Sequence, residues 1–108
     1  MKLIPDKTTY QNGIALNEYI ITKHNDYCAA LPQISISPRS ISIYSFPDVP
    51  IKSYISLAEF YSRQVYYNNF KGLIPHYFVD SISIWKLLED NMISNFNKGI
   101  VIVMCGNN

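Results

Sequence analysis

Two stretches of this chain carry residue types that could do chemistry. His24, Asp26 and Cys28 stand at alternate positions in HNDYC. On a strand or turn, that spacing could aim an imidazole, a carboxylate and a thiol to one side, as a metal or thiol site needs. A structural zinc site takes about four protein ligands, and the only other histidine and cysteine, His76 and Cys105, are remote in sequence. A turn rich in Asn and Asp accounts for the same residues, so no metal or other cofactor is expected. The second stretch places His76 beside Tyr77 and near Asp80. Histidine with a carboxylate could do acid–base work. A surface-loop histidine is the plainer account, because no phosphate loop, Rossmann fingerprint or nucleophile elbow accompanies it. Cys105 ends an apolar run and reads as a small buried hydrophobe. The chain is not expected to be an enzyme.

A denser signal is aromatic. Tyr66, Tyr67, Phe70, Tyr77 and Phe78 crowd a helix end and the loop after it. A domain this small is not expected to bury them all, and exposed aromatic clusters mark binding patches. With His76 and Asp80 they form the expected partner-binding set. The competing account is that some of these rings close the core over a sheet. Rings can stack on bases, but only Arg63 and Lys71 flank these, so direct nucleic-acid binding is not expected.

Composition bounds the rest. A chain of 108 residues suits one domain. Apolar residues make up 48% and charged residues 16%, below the usual ~25%, which argues for a packed globule over disorder. The nine tyrosines suit sheet surfaces and interfaces alike. A formal charge of +1 argues against a broad basic nucleic-acid surface, and equally against an acidic nucleic-acid mimic. Two distant cysteines cannot build a disulfide framework and suit a reducing cytoplasm. Pro5 and Asp6 fall where a secretory signal would be apolar. No window approaches the ~20 apolar residues of a spanning helix, so no membrane association is expected. Nothing in the sequence sets an oligomeric state.

Within one domain, residues 1–13 read as an arm or edge strand, 14–50 as a β-rich segment, and 51–108 as a helix–helix–strand unit. Residues 14–31 admit a hairpin about His24 to Asp26, or a helix through Leu16, Tyr19, Ile20, Tyr27 and Leu31 ended by Pro32. The β preference of Tyr, Ile and Thr favours the hairpin. In QISISPRSISIYSF, residues 33–46, Ile alternates with Ser, which predicts a half-exposed strand with a polar face. Pro38 marks a turn or an edge position. Ser56 and Glu59 have capping-box spacing and predict a helix starting at Leu57, with Ile55 and Phe60 as its staple. Asn68, Asn69 and Gly72 would stop it. Asp80 or Ser81 would cap a second helix from about Ile82 to Met92 or Asn95, with Ile82, Trp85, Leu88 and Met92 on one stripe. IVIVMC at 100–105 is apolar on both faces and reads as a covered central strand. The expected fold class is α+β, a small mixed β-sheet with two helices packed on it.

From Ser42 to Met104 this order resembles the barstar family of ribonuclease inhibitors. The matching features are the strand SISIYSF, then IKS and a Ser-capped helix, a loop with Ile74, Pro75, His76, Tyr77 and Phe78, a helix with Trp85, and the strand IVIV. The resemblance implies a strand–helix–helix–strand unit, here preceded by N-terminal strands, which binds a nuclease through its second helix and the preceding loop. Tyr77 matches an interface tyrosine of that loop. Where the family carries its inhibitory acids, this chain has Ser83 and Lys86 or its neighbour. The implied function is a cytoplasmic immunity protein that binds a bacterial toxin domain and neutralises it by steric occlusion through Tyr67, Tyr77 and Phe78. The alternative is a phage-type inhibitor or adaptor of a host nucleoprotein complex.

Overall fold

The computed structural model describes residues 2–3, 10–11, 14–15, 18–46, 53–66, 74–81, 84–94 and 99–105. Among them the elements run β1 (Lys2–Leu3), β2 (Tyr10–Gln11), β3 (Ile14–Ala15), α1 (Glu18–Ala30), β4 (Ile41–Phe46), α2 (Ser53–Tyr66), β5 (Tyr77–Val79), β6 (Ile84–Lys86) and β7 (Ile100–Cys105). The main sheet has the order β1-β6-β5-β7-β4, and β2 pairs with β3 in a separate ribbon. β5 and β6 are antiparallel, while β1–β6, β5–β7 and β4–β7 are parallel. The fold is α+β, a mixed sheet with two helices.

Both helices pack on one face of the sheet. Register sets Phe78 opposite Trp85 on β6 and opposite Val103 on β7, and Phe46 opposite Cys105. Side chains paired across strands share a face. Against that face lie Ile20 of α1 and Leu57, Phe60 and Tyr61 of α2, all fully buried. The rings of Phe46 and Phe60 are 5.4 Å apart, and those of Phe60 and Phe78 are 5.1 Å apart.

The favoured hairpin over 14–31 gives way to α1 for most of its length. Ile20, His24, Tyr27, Cys28 and Leu31 recur at helical spacing, and tertiary burial of that stripe outweighs the β preference of Tyr, Ile and Thr. The helix stops where Pro32 cannot extend it. Its loose carbonyls are satisfied locally: the Leu31 N–H donates to the Cys28 carbonyl, and the Gln33 amide donates to the carbonyls of Cys28 (3.1 Å) and Leu31 (2.9 Å).

The expected second helix is also corrected. The segment around Trp85 is β6, the second arm of a hairpin with β5. Asp80 does not cap a helix; its Oδ2 accepts the Trp85 indole N–H at 2.9 Å across the hairpin loop. Among the described residues the strand–helix–helix–strand order therefore does not hold, since one helix precedes β4 and one follows it. Helix α2 begins at Ser53, so Ser56 lies inside it, fully buried, and is not the N-cap; its hydroxyl is hydrogen-bonded with the Cys105 thiol.

The polar face expected of β4 is reversed. Ile41 and Ile43 point to solvent, 66% and 63% exposed, whereas Phe46 is buried. A strand alternates strictly, so once Phe46 faces the core, Ile41 and Ile43 must face away.

Candidate functional site

Of the seven residues expected to meet a partner, the four whose side chains are described do not form one surface. Tyr66 ends α2, and its side chain, like Tyr67 and Phe70, lies outside the described residues. His76 and Phe78 are fully buried and Asp80 nearly so. Phe78 is a core residue. Tyr77 is half-buried, and its hydroxyl donates to Asp90 Oδ1 at 2.6 Å. That bond, with partial burial, raises the Tyr77 phenol to about 12, so it stays a donor at neutral pH.

His76 is held by architecture, contrary to the surface loop expected for it. The Val101 N–H donates to its Nδ1 at 3.0 Å, which leaves Nδ1 as the acceptor and places the ring proton on Nε2. That Nε2–H donates to the Met92 carbonyl at 2.7 Å. The main chain of His76 bonds Val101 and Leu87 as well. Burial, partly countered by the Met92 bond, lowers its pKa from 6.5 and favours the neutral ring. Asp80 lies four residues along the same strand direction, roughly 13 Å away at ~3.3 Å per residue. It serves Trp85 instead, so the two do not form an acid–base pair.

His24, Asp26 and Cys28 do not converge either. On α1, Asp26 faces solvent while His24 and Cys28 sit one turn apart. The Cys28 sulfur is 3.5 Å from His24 Nε2, and His24 Nδ1 meets the Tyr61 hydroxyl at 2.5 Å. Complete burial keeps the Tyr61 phenol far above its ordinary value, so the hydroxyl stays protonated. Tyr27 stacks on the same ring at 5.9 Å. This cluster joins α1 to α2. Among the described residues no group of three or more His, Cys, Asp or Glu is placed to hold a metal ion. Burial raises both thiols to about 11, which leaves little thiolate for nucleophilic chemistry.

The arrangement best suited to function is the opposite face of the sheet, which α1 and α2 leave uncovered. Register aligns Ile41 with Ile100, Ile43 and Tyr77 with Ile102, and Val79 with both Met104 and Ile84. These side chains form one apolar surface across β4, β7, β5 and β6, roughly 15 Å wide at ~4.8 Å per strand step. Ile41 and Ile43 are about two-thirds exposed, Ile84 is 48% and Met104 38% exposed. Lys86 borders it beside Tyr77. The sequence held a signal for this face: Ile41-x-Ile43 and Tyr44-x-Phe46 alternate in opposite phases on one strand, so one pair must face outward.

Comparisons with protein-family models, curated proteins and solved structures return no match. Among the described residues no helix is long and apolar enough to cross a membrane.

Proposed function

We propose that this chain is a binding protein that acts without catalysis, an immunity protein that covers and neutralises a bacterial toxin domain. The observation that supports it is the open apolar face carrying Ile41, Ile43, Ile84 and Met104. Contiguous apolar patches of this kind are characteristic of protein-binding surfaces. What remains of the resemblance to the barstar family, the strand β4, the helix α2 after it and the strand β7, suggests the class of partner. That family binds through a helix which here is strand β6, so the docking surface is assigned to the sheet. Two cysteines held as free thiols suit a cytoplasmic setting.

The test is calorimetric titration with the toxin domain encoded beside this chain, together with survival of cells expressing that toxin. Binding heat and protection are expected. The double variant Ile84→Glu/Met104→Glu should weaken binding at least tenfold with an unchanged melting temperature. Absence of heat with the unaltered chain, or full binding by the variant, would overturn the proposal.

A further inference from the structure

The β4 edge of the main sheet carries a second docking feature, made of main-chain groups. Among the described residues β4 pairs only with β7, through six consecutive residues in unbroken register. The Ile100 N–H donates to the Ser40 carbonyl at 2.8 Å. In a parallel ladder the bonding residues alternate. Ser40, Ser42, Tyr44 and Phe46 therefore turn their main-chain groups toward β7. Ile41, Ile43 and Ser45 turn theirs to the open edge.

Sheet edges are usually blunted by shortness, charge, proline or a bulge. The opposite edge follows that rule: β1 is two residues long and includes a lysine. Ile41–Phe46 follows none of it, having no charged residue, no proline and no register break.

We propose that two copies of this chain pair antiparallel through β4, with the two-fold axis at Ile43. The outward groups have the phase this pairing needs. Ile43 exchanges both hydrogen bonds with Ile43 of the second copy, and Ile41 does so with Ser45 on either side of the axis, about six bonds in all. On the helix-bearing face, Tyr44, 42% exposed, comes opposite Ser42 of the other copy. The axis stands perpendicular to the sheet, so both open apolar faces lie on the same side and join into one surface. A net charge of +1 per copy opposes association little. A strand pair of this length buries well under the ~800 Å² per partner of a standard interface. The dimer is therefore reversible and its population rises with concentration.

Sedimentation equilibrium of the full chain over a hundredfold concentration range tests this, with amide hydrogen exchange read in parallel. The expected result is a monomer–dimer equilibrium in which the amides of Ile41, Ile43 and Ser45 gain protection as concentration rises. Those of Ser42, Tyr44 and Phe46, already bonded to β7, should be protected throughout. Ile43→Lys sets two like charges on the axis and should weaken the dimer at least tenfold. Ile84→Lys, on the same face but three strands from the edge, should leave it intact. A monomer at every concentration, or unprotected 41, 43 and 45 amides in a dimer, overturns the proposal. So does a dimer broken equally by Ile84→Lys, which would mean packing through the sheet face. Toxin binding is measured separately, so either proposal can fail while the other stands.

Discussion

His76 joins three parts of the molecule that are distant in sequence: the start of β5, the start of β7 and the turn at Met92. Removing its ring leaves the Val101 N–H and the Met92 carbonyl without that partner inside the protein. A buried group so stranded costs ~1–3 kcal/mol, so His76→Ala should lose about 2–4 kcal/mol in urea denaturation. The same geometry sets a pH dependence. Unfolded, the imidazole titrates at its ordinary 6.5; folded, burial holds it lower. The unfolded chain therefore binds the extra proton first, so stability present above pH 6.5 declines as pH falls below it. The urea midpoint should drop between pH 7 and pH 5. His76→Ala should start lower and lose much of that slope. Asp80 and Trp85 make a second such unit. Asp80→Ala strands a buried indole N–H and should cost ~1–3 kcal/mol, read by thermal unfolding.

At the scale of elements, β4 offers the sharpest check, because its two phases predict opposite outcomes. Phe46→Ala opens a cavity against Phe60 and Phe78 and should cost ~3–5 kcal/mol. Ile43→Ser changes an exposed side chain and should move stability by no more than ~0.5 kcal/mol. A larger loss from Ile43→Ser than from Phe46→Ala would show that the isoleucines, not the aromatics, face the core. At the other end of the β4–β7 pair, Gly99 lies where a Cβ would come 2.7 Å from the Ser40 carbonyl oxygen. Backbone cannot yield as a flexible side chain can. Gly99→Ala should therefore destabilise by ~1–3 kcal/mol and loosen the β4–β7 pairing, visible as faster exchange at Ser42 and Tyr44.

For the whole molecule, both thiols should report global packing. Each is half-buried and raised to about 11 by burial, with a neighbouring carboxylate adding to the rise at Cys105. Labelling at pH 8 with a thiol-specific reagent should be slow in the native protein and fast in denaturant; fast native labelling would show that these positions open to solvent. The α+β class, the body of α2 and the interior strand β7 were all legible from local periodicity, but the face of β7 that carries Met104 is open where the sequence predicts both faces covered. Leu57, Phe60 and Tyr61 recur at helical spacing, and Ile100 to Cys105 is apolar on both faces. The expected partner-binding surface was much less legible. Composition marks Phe78 as a ring that could bind, but only its register against Trp85 and Val103 shows it buried. Likewise His76 looks available until the Val101 amide and Met92 carbonyl take up both ring nitrogens.

By itself the sequence determined which segments leave water together, because side-chain spacing along a helix or strand is a local property. Tertiary structure alone decided which way those segments face and what conformation an ambiguous segment takes. The apolar positions around Trp85 fit a helix nearly as well as a strand. Partners on β5 and the Asp80 carboxylate supply the hydrogen bonds that select the strand. On β4, strict alternation let either Phe46 or Ile41 and Ile43 reach the core. The rings of Phe60 and Phe78, brought in from elsewhere in the chain, favour the aromatic side, and the isoleucines are left facing solvent.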